Sequence, residues 1–391
     1  MSQTQPTPPL ALLGAAAALA PFTGSMPIPT LTSVGEELGA APEDATRVIS
    51  VFFLAFATSM IPAGALSDRI GRRPVAIGGL ALLTVASVAA AFAPTLEALI
   101  VARFFQGLGA AAPMNLTRAV IRDGASGDEA TRAMSVVSVF QSAGPAIAPI
   151  AGATLGWRLG FGALSIAALA LVALSAWRWN ETLPPGPKTS PLSQLHHLVQ
   201  GPFIPFGVAL TALSSIWFSF VAIAPAAFVG SGWLSQQELG LMLTGVAFSL
   251  VGGATAAQVS LKRGLSSDGV MRIGAGIVLV SGLALAGLSL AAPGVLAPWI
   301  ALFFAYALGN GMMTPPTIMR ALTVPSSAAG VASALVGAVQ LFGGALAAEL
   351  VPRLTDSLLT SFAWVTFACL GVMVGGLVWG EARLKAKPAA A

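Results

Sequence analysis

Charge is scarce in this 391-residue chain: Asp, Glu, Lys and Arg together make up 9% of it. Soluble domains carry about 25%. That is too little charge to clothe a water-facing surface, so a soluble fold is excluded. Cysteine is almost absent. Cys369 stands alone, which rules out an intrachain disulfide and a cysteine metal cluster. It lies in an apolar run and is expected to be a small packing residue. The two histidines, His196 and His197, sit side by side in a polar stretch and are expected to be solvated, so no metal site is expected. No Gly-Lys-Ser/Thr phosphate loop is present, hence no sign of ATP use. No polar catalytic cluster is visible, so the chain reads as a non-enzyme without a cofactor. The net charge of +4 comes from basic residues in short loops, with no basic face or aromatic platform. A nucleic-acid partner is therefore not expected.

What the chain has is hydrophobic length. Apolar residues make up 56% and the mean hydropathy is +0.84. A membrane-spanning helix needs about 20 mostly apolar residues. Twelve such runs fit, at 10–33, 47–66, 74–93, 96–119, 133–155, 159–179, 203–229, 239–261, 271–292, 296–319, 328–350 and 358–380. The fold class is an all-α membrane protein of twelve transmembrane helices in two pseudo-symmetric six-helix bundles. Prolines fall in the first, fifth and tenth spans (Pro21, Pro27, Pro29; Pro145, Pro149; Pro315, Pro316). Broken helices of this kind often line a cavity. The first run follows Met1–Pro9, which has no Lys or Arg, and outlasts a signal-peptide core, so no cleaved leader is expected.

The loops then alternate in charge. Fifteen Lys and Arg fall on one side, only Arg47, Arg158 and Arg353 on the other, and Arg103 is left inside a span. The positive-inside rule puts the first side and both termini in the cytoplasm, here of a bacterial inner membrane. The longest internal loop, Asn180–Gly201, is rich in Pro and polar residues. It is expected to link an N-terminal six-helix bundle, 1–179, to a C-terminal one, 202–391. The halves resemble each other: Ala130–Gln141 matches Ala329–Gln340 at an offset of 199, and Phe104-Phe105…Leu108-Gly109 matches Phe303-Phe304…Leu308-Gly309 at 199 to 200. A parallel repeat of this kind places a substrate site between the halves near the midplane.

Three strings carry mechanism. The loop after the second span reads Gly64-Ala-Leu-Ser-Asp68-Arg69-Ile-Gly71-Arg72-Arg73-Pro74. Gly64 permits close helix approach, Asp68 can accept from helix-end amides, Gly71 permits a tight reversal, and the arginines supply donors that can change partners. The loop is expected to gate. The fourth span holds Arg103-Phe-Phe-Gln106-Gly107-Leu-Gly109. An arginine in a span is expensive and points to function; Arg103 is expected at the cavity or its rim. The fifth span holds Gly144-Pro145-Ala-Ile-Ala148-Pro149-Ile-Ala-Gly152 and then Gly156, small residues every four positions that make one smooth face.

The first two strings resemble the signature loop and the second motif of the major facilitator superfamily. The third resembles the motif of its drug:proton antiporters. Arg118-Ala-Val-Ile-Arg122-Asp123, Gly156-Trp157-Arg158 and Ala329-Gly330-Val-Ala-Ser-Ala-Leu335 narrow the resemblance to the bicyclomycin/chloramphenicol-resistance branch. It implies the major facilitator fold, alternating access, and export of small amphipathic drugs or metabolites against protons. The branch usually carries an acidic residue in the first span; here Phe22–Pro29 has none, and no Asp or Glu lies deep in any span. Asp68 and Asp123 are left as titratable candidates, with Arg103 and Gln106 as coupling or substrate residues. Met26, Phe52, Phe56, Asn115, Gln141, Trp217, Phe218, Tyr306, Asn310 and Gln340 are candidates for the cavity. The expected partners are a small-molecule substrate, protons and the bilayer, with the chain acting as a monomer. The competing reading on the same fold is an uptake or exchange carrier for a small neutral or anionic metabolite.

Overall fold

The computed structural model describes residues 8–40, 42–45, 47–183, 201–224, 227–228, 231–291, 295–324 and 329–386. Most of the expected 180–201 linker, with His196 and His197, lies outside the described residues. Among the described residues all regular structure is helical. Lipid offers no hydrogen bonds to a backbone, and a helix satisfies its own amides. The elements are α1 (Leu10–Ser25), α2 (Leu31–Leu38), α3 (Pro42–Ala45), α4 (Arg47–Ile70), α5 (Arg72–Ala91), α6 (Leu96–Gly124), α7 (Gly127–Arg178), α8 (Phe203–Ala224), α9 (Gln236–Lys262), α10 (Ser267–Ala291), α11 (Leu296–Ala321), α12 (Ala329–Leu354) and α13 (Leu358–Ala386).

Helix occupies each of the twelve expected spans. Ten helices among the described residues are long and apolar enough to cross a membrane. One of these, α7, is 52 residues long and holds both the fifth and sixth spans, divided at Gly156, whose φ of 73° breaks the helix. The fourth span lies in α6, which falls outside the ten because Arg103, Gln106 and Asn115 lower its hydropathy.

The prolines act unequally. The first span is broken: α1 ends at Ser25, a single 3-10 turn covers Ile28–Thr30, and α2 follows. Pro145 and Pro149 in α7, and Pro315 and Pro316 in α11, leave their helices continuous. Two prolines spaced by one residue, as at Pro27 and Pro29, remove successive donors within one turn, so the regular ladder cannot resume until beyond them. Several helices also outrun the apolar runs. The fourth run closes at 119, yet α6 continues to Gly124 and carries Arg122 and Asp123 with it.

The chain packs as two compact units, Met1–Ser126 with Val136–Gln194 and Pro325–Gly337, and Gly127–Ser135 with Leu195–Val324 and Ala338–Ala391. In the first, α6 is central. A Cβ on Gly109 would stand 2.6 Å from the Leu83 nitrogen of α5, and one on Gly107 2.9 Å from the Phe56 nitrogen of α4. In the second, α11 takes the same part. A Cβ on Gly309 would stand 2.9 Å from the Val278 nitrogen of α10, and one on Gly311 3.1 Å from the Ala254 nitrogen of α9. Gly109 and Gly309 close the same repeated string and meet the same preceding helix, so the internal repeat has a packing reason. The outer faces present large apolar residues such as Val85, Ile166, Val280 and Phe342, as lipid contact requires.

Candidate functional site

The string Gly64–Pro74 folds into a buried ion cluster in the first unit. Arg72, fully buried, donates from Nε to Asp123 Oδ2 at 3.0 Å and from Nη1 to Ser67 Oγ at 2.8 Å, and pairs with Asp68. One guanidinium thus bridges two carboxylates, one from each flanking helix. The second oxygen of Asp68 accepts the Val331 N–H at 3.1 Å. Val331 is in the first turn of α12, where backbone donors have no partner in the helix and favour negative charge. Gly64 is buried in α4, and Arg69 is exposed. Arg73 donates to the Ala176 carbonyl at 2.6 Å.

Gly71 is fixed by two constraints. Its φ is +112°, and a Cβ would run into the Glu181 carboxylate. That carboxylate accepts the backbone N–H groups of Arg72 at 2.8 Å and Arg73 at 3.1 Å, which are orphan donors of the α5 N-terminus. Glu181 escapes a reading of the sequence. It lies in the loop after α7, more than a hundred residues from Arg72, and an isolated loop Glu carries no sequence signal.

Arg103 sits on α6 with no exposed surface. Its Nε donates to the Val48 carbonyl of α4 at 2.9 Å, and its Nη1 to the Thr23 carbonyl of α1 at 3.0 Å and to Gln106 Oε1 at 2.9 Å. Gln106 passes the chain on to Ser87 Oγ of α5 at 2.9 Å. The Thr23 carbonyl is available because Pro27, four residues on, has no N–H to give it. Phe52 lies under the guanidinium at 4.3 Å and Phe161 at 5.6 Å. Nη2 has no partner, and no carboxylate pairs with Arg103 among the described residues. Arg103 is therefore sealed inside the first unit, where it ties the broken first span to three other helices.

The small face of α7 meets α1 directly. A Cβ on Gly144 would lie 3.2 Å from the Ala18 carbonyl oxygen, and one on Gly152 would collide with the Met26 carbonyl oxygen. Met26 is buried, and its sulfur occupies the space that Gly160 leaves open. Beyond the break at Gly156, Trp157 donates to Glu37 Oε2 at 2.7 Å and Arg158 to Glu37 Oε1 at 2.6 Å. Arg158 also reaches the Ala91 and Ala93 carbonyls at 3.0 and 3.1 Å. The hydrogen bond from Arg158 is the main cause that holds the Glu37 carboxyl below its ordinary pKa.

The second unit holds a counterpart to the Asp68 contact. Asp128 Oδ1, at the start of α7, accepts the Ser267 N–H at 2.8 Å and its hydroxyl at 2.6 Å. Arg132 donates to the Leu261 carbonyl at 2.8 Å. Both contacts set a carboxylate against the backbone donors of a helix start, that of α12 for Asp68 and that of α10 for Asp128.

The remaining candidates are distributed by their own packing. Phe52 and Phe56 stack at 6.1 Å beside Arg103. The Asn115 amide donates to the Met60 carbonyl at 2.9 Å, and its backbone carbonyl accepts from Ser333 at 2.7 Å. Gln141 Nε2 is buried without a partner. In the second unit, Tyr306 donates to the Leu213 carbonyl at 2.7 Å inside an aromatic core with Phe220, Trp299 and Phe303. Trp217 stacks on Phe303 at 6.0 Å. Phe218 lies against Gly344, Asn310 accepts from Thr314 at 2.9 Å, and Gln340 donates to Ser214 at 3.3 Å. Arg118, not singled out for the site from the sequence, is buried, with Nε and Nη1 both unpartnered.

Known proteins resemble this chain along its length. A family model described as Major Facilitator Superfamily matches residues 13–348. An uncharacterized MFS-type transporter of Bacillus subtilis, YdgK, is 25% identical over 353 residues, 87% of each chain. The multidrug resistance protein MdtL of Escherichia coli is 30% identical over 201 residues, which is 50% of this chain and 51% of that protein. The solved transporter FucP superposes with a TM-score of 0.77 at 15% identity, over 96% of this chain and 98% of that one. The human organic anion transporter MFSD10 gives 0.73 at 15%, over 93% and 98%. Helices and family match agree: this chain is a multi-pass membrane transporter of the major facilitator superfamily, not an enzyme.

Proposed function

We propose that this transporter exports small amphipathic drugs or metabolites in exchange for protons, as a member of the bicyclomycin/chloramphenicol-resistance branch. The observation that carries the reading is the α7 face. The antiporter-type string Gly144-Pro145…Pro149…Gly152 packs backbone to backbone on the broken first span. The resemblance to MdtL over half the chain supports it. Asp68 on the α12 first turn and Asp128 on Ser267 are the contacts made and released in alternating access. Both are charged acceptors on helix-start donors, each worth up to a few kcal/mol, a size that can be opened in a working cycle.

The test is purified protein in liposomes with a neutral amphipathic antibiotic such as chloramphenicol and a pH-sensitive dye. Drug movement against a proton flux of opposite direction is expected. Co-movement of drug and proton, or drug flux indifferent to a pH gradient, overturns antiport. Gly152→Val should abolish flux with the protein still inserted. Asp68→Asn and Asp128→Asn should each slow it at least several-fold while cargo binding persists.

A second reading, uptake or exchange of an anionic metabolite, has one observation in its favour. Arg103 and Arg118 are buried, and neither pairs with a carboxylate among the described residues. A counterflow panel of carboxylates would decide for it if anions compete and chloramphenicol does not. From the fifteen-to-three loop charge bias we further propose that both termini face the cytoplasm. A C-terminal reporter read from outside the cell would overturn that topology.

A further inference from the structure

The second unit carries a groove lined by none of the candidate transport residues. Its volume is about 480 Å³, and it runs between α10 and α13. Met271, Leu279, Val374, Leu377 and Val378 make the walls, and Gly276 forms part of the floor, where a Cβ would meet nothing within 4 Å. The groove closes where α10 and α13 come together, with the Leu370 side chain 3.0 Å from a Cβ on Gly282. At its open end stand Arg272, Glu381 and Lys385. Arg272 pairs with Glu381 at 3.1 Å, with 65% of the arginine side chain exposed. Lys385 makes no ion pair among the described residues. Two cations against one carboxylate leave the mouth positive.

We propose that this groove binds one anionic phospholipid from the leaflet in which the C-terminus ends, an acyl chain lying in the groove and the phosphate between Arg272 and Lys385. Depth supports that occupant. From Met271 to Leu279 the groove follows α10 for roughly 12 Å, and from Lys385 back to Val374 it follows α13 for roughly 16 Å, at about 1.5 Å per residue. One leaflet of a hydrocarbon core about 30 Å thick is roughly 15 Å deep. A slot one leaflet deep, apolar along its length and basic only at its rim, matches a phospholipid in both charge and dimension. Basic pockets between transmembrane helices are known binders of anionic headgroups. Glu381 tempers the site: a phosphate must share Arg272 with it.

The test is native mass spectrometry of the full-length protein in neutral detergent. Phosphatidylglycerol is titrated in parallel with phosphatidylcholine of the same chains. A single phosphatidylglycerol adduct is expected at far lower concentration than a phosphatidylcholine one, and inorganic phosphate should not displace it. Arg272→Ala with Lys385→Ala should weaken it roughly thirtyfold, taking about 1 kcal/mol per cation, and leave phosphatidylcholine unchanged. Glu381→Gln should strengthen it. Gly276→Phe and, from the opposite wall, Val378→Trp should block both lipids. Equal binding of the two lipids, displacement by phosphate, or an adduct that survives the charge pair's loss or both wall variants would overturn the proposal.

Discussion

Arg103→Ala is expected to cut transport at least tenfold while leaving the protein's melting midpoint nearly unchanged. The two parts of that result come from opposing terms. Removing the side chain takes away hydrogen bonds to the Val48 and Thr23 carbonyls and to Gln106. Two of these acceptors are left unpaired: the Thr23 carbonyl, which Pro27 leaves without a helical donor, and the buried Gln106 Oε1. An orphaned buried acceptor costs about 1–3 kcal/mol. Removing the side chain also relieves a buried cation with no carboxylate beside it, and an arginine at a span centre costs about 2.5–3.5 kcal/mol on insertion scales. The terms nearly cancel in stability. They do not cancel in function, because the end of α1 that Arg103 holds is the end on which α7 packs. Arg103→Lys should be less stable than Arg103→Ala, since it keeps the charge but cannot span three acceptors or lie flat on Phe52. Transport and midpoint measured on both variants decide the matter. Full transport by Arg103→Ala would show that the tie is dispensable. A large stability loss in the alanine variant with lysine rescuing would show that the role is packing alone.

The second large effect is at Arg72. Arg72→Ala leaves the Asp68 and Asp123 side chains, 2% and 0% exposed, facing each other with the guanidinium between them gone. Breaking a buried pair by removing one partner costs about 3–5 kcal/mol. Native stabilities are about 5–15 kcal/mol, so the variant is expected to accumulate poorly in the membrane and to aggregate on extraction. Arg72→Ala combined with Asp68→Asn and Asp123→Asn should recover expression, because the stranded charges are removed together. That recovery distinguishes an electrostatic cause from a packing one. If the single variant is as abundant and as stable as the parent, the cluster is solvated and the argument from burial fails. If the triple variant is no better than the single, the loss comes from the vacated volume.

Much of the scaffold is legible in the sequence. Composition demands lipid, run lengths demand helices, and the repeat of Phe-Phe…Leu-Gly points to Gly109 and Gly309, which make equivalent contacts. The motifs name the right backbone neighbourhoods. Gly71 does sit at a positive φ in a tight turn, and Gly144 and Gly152 do permit close approach to another helix. Partner identities are not legible. Arg72 with Asp123, the Arg72 and Arg73 amides with Glu181, and Trp157 and Arg158 with Glu37 join residues 51 to 121 positions apart.

The sequence by itself determined the solvent, the helical class, the repeat and the positions where only glycine fits. These are properties of local composition and backbone sterics, and they act over a few residues at a time. Tertiary structure alone decided where the charges go. It sealed Arg103 among α1, α4 and α6, set Arg72 between two acids, and brought Asp128 to the first donors of α10. It also left a basic-rimmed groove between α10 and α13. In a low-dielectric interior an ion's energy depends on the few groups within about 4 Å of it. Those neighbours come from distant segments, and no pattern along one stretch of sequence encodes which of them arrive.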